Sequence, residues 1–381
     1  LGDITGAASR ELSVSRQPAD WTVIGTTWTV LAEADPRASF FVGIDWTAAW
    51  LDTFGRDLDV DALVFTAGAR AVGICLLVSA VERRGPFRIR RMYVNTAGEP
   101  LLERNTIEFN TVLCLPGWEE AVLASLWAEL RRRDWDECVA EGWTADGLLP
   151  ALASAAPDDV AVAFAEEPSF HVDLDGLRRS GRSYEHVLSA NTRAQIRRSL
   201  ERYERRATVR IDLATDVASA EGLLDELIDR HQVTWHARGQ PGAFAVPRKV
   251  AFHRALVRRG VARGTVHLLR VSAGDTIGVF YNFVHRGKVY FYQSGLQYES
   301  DTHLQPGLVS HYCAIQHYFR AGLSDYDFLA GDSRYKRSLS TGSRPLVWAT
   351  FSRHSPRLAA IELLRRARRS CRSVLRRTEV P

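Results

Sequence analysis

The stretch TVHLLRVSAGDTIGVFYNFVHRGKVYFYQSG, residues 265–295, decides the fold. Residues 265–272 alternate apolar and polar side chains, and Ala273-Gly274-Asp275 turns the chain. Residues 276–285 (TIGVFYNFVH) are β-branched and aromatic, Arg286-Gly287 makes the next turn, and 288–295 (KVYFYQSG) are again rich in aromatics. Such runs, separated by Gly-bearing gaps, predict an antiparallel meander. After a polar loop (298–305), Pro306-Gly307 opens the helical run LVSHYCAIQHYFRAG. Proline in the first helical turn and Gly322 just past the last fit helix punctuation. Tyr326-Asp327-Phe328-Leu329 then begins a short, apolar strand. The run from strand to helix to strand is long enough for a βαβ crossover, so its two strands are expected to be parallel. The free N–H groups and positive dipole end of that helix, beginning beside a strand end, make a seat for phosphate or pyrophosphate. The alternative is an ordinary α+β core with an empty helix end.

Working outward, the same layout occurs earlier in the chain. Runs at 62–66, 71–81 and 87–94 read as strands; a polar insert (95–108) follows, Pro116-Gly117 opens a helix ending near Arg133, and Trp135-Asp136 begins another strand. Pro116-Gly117 precedes Trp135-Asp136 by nearly the interval between Pro306-Gly307 and Tyr326-Asp327. A divergent internal duplication is the simplest account. The expected class is therefore α+β / α/β, with tandem domains, each a mixed, mostly antiparallel sheet with one parallel βαβ pair flanked by helices. The expected organisation is a mobile lead (1–19), a first domain (20–160), a second domain (168–354) and a basic amphipathic helix (355–381), with the boundary in the Ala-, Pro- and Asp-rich stretch 153–168.

The length of 381 residues suits two ordinary domains, and 46% hydrophobic with 25% charged residues is the balance of a globular protein. Five scattered cysteines (Cys75, Cys114, Cys138, Cys313, Cys371) without a C-x-x-C argue for reduced thiols and a cytoplasmic setting, against a disulfide frame and against zinc. The histidines show no tight ligand spacing, so no metal is expected. The stripe of 357–377, with Arg filling the rest, suits an anionic membrane surface at the inner face, an acidic partner, or a helix packed on the domain.

Three segments carry candidate chemistry. In SANTRAQIRRSLERYERR (189–206), Thr192 and Gln195 suggest a capping box, and Ile196, Leu200 and Tyr203 one buried face. The arginines elsewhere, Arg193 and Arg197 among them, are either a solvated basic face or an anion site. Residues 223–235 read as a helix leading into a loop with Trp235 and His236; His231 is either a packed helix histidine or a catalytic one. The loop after the last parallel strand, Gly331-Asp332-Ser333-Arg334-Tyr335-Lys336, brings a carboxylate, a phenol and an amine to the end of a strand where open α/β sheets place ligands.

The segments TRAQIRRSLERYE (192–204), IDRHQVTWHARGQPGAF (228–244) and YDFLAGDSRYKRSL (326–339), in this order within a duplicated layout, resemble the CelD-like branch of the GNAT acyltransferases. That branch is related to the FemAB peptidyltransferases and is associated with cellulose or exopolysaccharide biosynthesis. The resemblance covers roughly residues 28–352. It implies tandem GNAT-like domains, the second catalytic, and transfer of an acyl group from a thioester, usually acyl-coenzyme A, to a primary amine. Its Arg-rich motif falls on Asn191, Arg193, Arg197 and Arg198, its His-and-Trp motif on His231 and Trp235, and its Gly-Asp…Tyr-Lys motif on Gly331, Asp332, Tyr335 and Lys336. The pyrophosphate loop, Q/R-x-x-G-x-G/A in GNAT enzymes, is here Leu304-Gln305-Pro306-Gly307-Leu308, with one glycine, and with a proline that removes an N–H donor. An acyl carrier protein or an aminoacyl-tRNA therefore stays open as donor.

These residues define the expected site. Asp332 or His231 is the candidate general base and Tyr335 the acid for the leaving thiolate. Gln305, Gly307, Leu308, Arg193, Arg197 and Lys336 are expected to hold the donor. Trp235, His236, Asn191, Tyr292 and Ser294 are expected on the substrate, with backbone N–H groups of 288–295 near the carbonyl. The preferred reading is an N-acyltransferase acting on a small amine or amino sugar. An aminoacyl-tRNA-dependent transferase, the one case in which nucleic acid would be a partner, and a non-catalytic scaffold of a polysaccharide system are the alternatives.

Overall fold

The computed structural model describes residues 12–361 and 363. In the first half come β1 (Ser13–Pro18), α1 (Trp21–Ala34), α2 (Ile44–Trp50, continued by a π turn), β2 (Asp59–Ala67), β3 (Arg70–Arg84), β4 (Phe87–Val94), β5 (Leu113–Cys114), α3 (Glu119–Arg131), β6 (Glu137–Thr144) and α4 (Leu149–Ser154). The second half holds β7 (Val160–Asp173), α5 (Leu174–Arg179), α6 (Tyr184–Val187), α7 (Ala190–Glu204), β8 (Arg210–Leu213), α8 (Val217–His236), α9 (Pro247–Gly260), β9 (Val266–Ala273), β10 (Asp275–His285) and β11 (Lys288–Leu296). It ends with α10 (Pro306–Arg320), β12 (Asp325–Ala330), α11 (Arg334–Leu339) and β13 (Gly342–Arg353).

Each half repeats one plan. An antiparallel meander (β2-β3-β4, then β9-β10-β11) is followed by a helix (α3, then α10) and a strand returning parallel to the meander's last (β6 on β4, β12 on β11). Each parallel contact lasts three residue pairs, Arg91↔Glu137 to Tyr93↔Val139 and Lys288↔Asp325 to Tyr290↔Asp327, and then the strands diverge. Just past that point each returning strand slips register against its other neighbour. The chain thus has the expected tandem GNAT-like architecture of mixed, mostly antiparallel sheet.

The halves nevertheless share one sheet, ordered β1-β2-β3-β4-β6-β13-β7-β12-β11-β10-β9-β8. β7 follows β6 in the chain but pairs with β12, and β13 follows β12 but pairs with β6. The two exchanged strands pair with each other from Gly342↔His171 to Arg353↔Val160. The stretch 153–168 therefore holds the end of α4 and much of β7, and residues 346–351 lie mid-sheet rather than closing an edge. Other departures are local. Of the lead expected over 1–19, residues 1–11 lie outside the described residues, while Ser13–Pro18 forms the edge strand β1 on β2. Pro116 precedes α3 instead of opening it, whereas Pro306 is the first residue of α10. Ser189, not Thr192, caps α7, accepting the Thr192 N–H at 3.1 Å. The basic helix expected over 357–377 falls, apart from 357–361 and 363, outside the described residues.

A second link between the halves is an aromatic seam. Phe40 stacks on Phe283 with centroids 4.1 Å apart, and Trp46 meets Phe252, Phe283 and Tyr292 edge to face. Beside it Arg286 donates to the Asp35, Ala32 and Glu33 carbonyls at 2.6, 2.9 and 2.7 Å, satisfying the C-terminal end of α1 from the other half. One hydrophobic core accordingly runs through the first half and across the seam, and another fills the α7–α10 face of the second half. Among the described residues no helix is long and apolar enough to cross a membrane.

Because the shared strands and seam leave neither half a complete sheet, calorimetry of the whole chain is expected to show one cooperative unfolding transition. Two well-separated transitions would mean that the halves fold independently.

Candidate functional site

Where β11 and β12 diverge, the wedge opens into a cavity of about 800 Å3. β11 contributes Phe291 to Ser294, β12 its last residues, α10 its first turn, α8 and α11 one side each, and the first half Arg104, Thr106 and Glu108. Tyr292 is the extra residue of a bulge in β11: Tyr281 faces Gln293 while Asn282 faces Phe291.

The floor is organised by Asp327, which is wholly buried. Its Oδ1 accepts the Ser169 hydroxyl at 2.6 Å and the Leu329 N–H at 2.8 Å. Those bonds hold Leu329 at φ +63°, a left-handed conformation that costs a non-glycine residue roughly 1–2 kcal/mol. The kink turns the Leu329 and Ala330 carbonyls onto Lys336 Nζ at 2.9 and 2.6 Å, and the Ala330 N–H onto Glu108 Oε2 at 2.7 Å. Lys336 and Glu108 are thereby fixed to the two sides of one peptide segment.

Burial dominates the protonation of these groups. It pushes Glu108 up to about 8, with the Asp327 and Glu167 charges adding and the Ala330 N–H and Lys336 opposing. It pushes Asp327 up to about 6 against the pull of Arg344. It lowers Lys336, against the attraction of Glu108, Asp327 and Glu167. Tyr335 is raised to about 12 by burial and stays protonated; its ring stacks on His311, 5.2 Å away, which burial lowers to about 3 and keeps neutral.

A groove of about 1010 Å3 adjoins the cavity and shares Thr302, Gln305, Leu308 and Tyr335 with it. Arg198, Arg202 and Arg334 line it, together with the start of α7 and the first turn of α10. No side chain caps α10, so the Gly307 and Leu308 N–H groups remain for an anion. The Gln305 N–H is taken by Ser199 Oγ at 2.9 Å.

The expected site residues divide in two. Tyr335, Lys336, Gln305, Gly307, Leu308, Trp235, Tyr292 and Ser294 all line the cavity. Asp332 does not; it lies in the loop before α11, where its carboxylate is half exposed and paired with Arg337, while 335 and 336 of α11 face the cavity. His231 stands in the cavity wall with both ring nitrogens engaged: Nδ1 lies 3.2 Å from the Ser294 carbonyl, and Nε2 accepts the Ala243 N–H at 3.1 Å. It fastens α8 to β11 and has no lone pair left for a substrate proton. That packing is close: a Cβ on Gly295 would lie 2.5 Å from the Leu227 carbonyl. His236 is exposed and off the cavity, and Asn191 lines the groove instead. Arg193 donates to the Glu185 and Leu188 carbonyls on the far side of α7, and Arg197 lies beside it in a separate cleft with Tyr312. Arg198 and Arg202, one helical turn apart, are the α7 arginines that face the adjoining groove.

Sequence reasoning missed Glu108, His311 and Lys249 of the cavity. Glu108 ends a polar insert with no periodicity, and nothing in its neighbourhood signals that it crosses to the other half. Among the described residues, no group of three or more His, Cys, Asp or Glu is placed to hold a metal ion.

Asp327→Ala removes both bonds, and the carboxylate 3.6 Å from Arg344, at a wholly buried position and is expected to cost about 2–3 kcal/mol. Asp327→Asn keeps an acceptor oxygen and is expected to cost less. Urea unfolding compares them, and equal stabilities would show that the Leu329 kink does not depend on this side chain.

Residues 190–337 match the acetyltransferase (GNAT) domain model. No curated protein matches the chain in sequence. Among solved structures, FemX superposes with a TM-score of 0.58 at 10% identity, covering 88% of this chain and 96% of that one. A conserved protein of unknown function from Bacteroides thetaiotaomicron superposes with a TM-score of 0.53 at 8% identity, covering 90% and 100%. These likenesses extend the fold over both halves. The matched segment contains α7, α8, the meander, α10, β12 and most of α11, which supply nearly all of the cavity and groove. Residues 190–337 thus match a GNAT acetyltransferase domain, and the chain is an acyltransferase.

Proposed function

We propose that the chain is an N-acyltransferase moving an acyl group from a thioester donor, acyl-coenzyme A, to a primary amine of a small molecule such as an amino acid or amino sugar. The observation that carries this reading is the joining of a basic groove at a helix N-terminus to a cavity whose buried carboxyl is raised to about 8. Donor phosphates suit the Gly307 and Leu308 N–H groups with Arg198, Arg202 and Arg334. The acyl end then passes Tyr335 at the junction and enters the wedge.

In this reading the ionised Glu108 takes a proton from the incoming ammonium, and the freed amine attacks the thioester carbonyl. Lys336 spends two of its three N–H donors on the Leu329 and Ala330 carbonyls, leaving one for the developing oxyanion. As the C–S bond breaks, the Tyr335 hydroxyl gives its proton to the leaving sulfur, and the second proton shed by the acylated nitrogen restores Tyr335 as the amide forms. Asp332 and His231 have no part in these steps. A polysaccharide or envelope setting rests on the sequence resemblance alone.

The base must be ionised, so kcat/KM is expected to rise with pH through about 8 and to fall away below it. Glu108→Gln is expected to flatten that limb and lower turnover about 10²–10⁴-fold, while Asp332→Asn leaves turnover near wild type. A profile unchanged in Glu108→Gln would displace Glu108 as the base.

Thermal unfolding with acyl-coenzyme A tests the donor. At a hundredfold excess over Kd a ligand of the native state adds about 2.7 kcal/mol, a midpoint rise of several degrees. No rise with any coenzyme A species, together with transfer from an acyl carrier protein or an aminoacyl-tRNA, would replace the donor and retain the class.

A further inference from the structure

The cavity holds more positive charge than its own carboxylates neutralise. Glu299 is committed to Arg206 through two bonds of 2.8 and 3.0 Å. Arg104 is shared among Glu82, Tyr93 and Glu141 at 3.2, 3.0 and 3.7 Å. Glu108 is protonated below about 8. Besides Lys336, which Glu108, Asp327 and Glu167 attract, two cations remain, Lys249 on α9 and Arg238 just past α8. Among the described residues Lys249 gives one hydrogen bond, to the Arg104 carbonyl at 2.9 Å, which leaves two donors to spare. The charge that supports it is Glu99, itself buried, raised to about 7 and bonded to the Trp50 indole N–H at 2.6 Å. Arg238 forms no ion pair among the described residues and lies over the Trp235 ring at 5.6 Å. Both cations line the same cavity as His231, and the charge of each helps to lower that histidine, after burial. Trp235 lines the same cavity.

A half-buried ammonium with spare donors is costly unless something anionic completes it, and Arg238, exposed to solvent, adds a second cation to the same cavity. The donor's phosphates have their own cradle at the other end, on α10 and α7. We infer that the acceptor amine carries a carboxylate or phosphate group, bound by Lys249 and Arg238 while its amine faces Glu108. This deepens the proposed acyl transfer and rests on it. Carboxylate and phosphate share the oxyanion chemistry that these two donors read, and the acceptor's own experiment separates them.

With the donor saturating, initial rates are compared for an amino acid against its amide, and for glucosamine 6-phosphate against glucosamine. A charged hydrogen bond is worth about 1.5–3 kcal/mol, so the anionic member of one pair is expected to be preferred about 10- to 100-fold in kcat/KM. The responding pair identifies the anion. In the double variant Lys249→Gln, Arg238→Gln the preference is expected to collapse through the acceptor's KM, with the donor's KM unchanged. Independently of turnover, inorganic phosphate added over saturating coenzyme A is expected to raise the unfolding midpoint of the wild type and not of the double variant. Equal use of neutral and anionic amines, a preference that survives the double variant, or no response to phosphate overturns the inference. If acyl-coenzyme A still raises the midpoint in that case, the donor reading stands and only the acceptor's anion is lost; if neither ligand binds, the proposed function fails first.

Discussion

The hydrogen bonds of one buried carboxylate hold the site open. Asp327 sits where β12 leaves β11, and by seizing the Leu329 N–H it forces a left-handed residue into a strand that would otherwise continue its ladder. A straight β12 would close the wedge and turn the Leu329 and Ala330 groups into strand pairing. The kink instead spends them on Lys336 and Glu108. The cost of a strained residue and a buried carboxylate is thus exchanged for two aligned titratable groups at the floor of the cavity.

The first half has the same wedge and has filled it. Asn110 bonds its N–H to the Gly142 carbonyl at 3.0 Å, and its side chain joins Asn95 and the Val94 carbonyl. Gly142, at φ +65°, admits this plug because it has no Cβ; one there would lie 2.3 Å from the Ile107 carbonyl. The chain that fills one half's cleft runs on from Glu108, which enters the other's. The duplication therefore did more than leave an idle copy. In the proposed reaction it is the first half that supplies the carboxyl, Glu108, while Asp332 of the second half faces solvent.

What the sequence revealed follows from how local each feature is. The meander, α10 and β12 announce themselves through two- and 3.6-residue periods and turn residues, and the repeated spacing exposed the tandem plan. The exchange of β7 and β13 left no such mark, because pairing partners far apart in sequence are not encoded in either strand's own pattern. The arginines of α7 were visible but not their direction. The buried stripe is Thr192, Ile196, Ser199 and Tyr203, so the polar Thr192 and Ser199 disguise it, and with it the side on which Arg198 and Arg202 face the groove. His231 carried its ambiguity until its two ring partners were seen, and Glu108 depends wholly on tertiary contact.

The central claim is that donor binding and chemistry occupy the wedge of the second half alone. Hydrogen exchange with a non-reactive thioether analogue of acetyl-coenzyme A tests it most directly. The account predicts slowed exchange in 291–294 and at Gly307 and Leu308, with 94–99 and 140–144 unchanged. Protection of the first half's wedge, or none in the second, would contradict it.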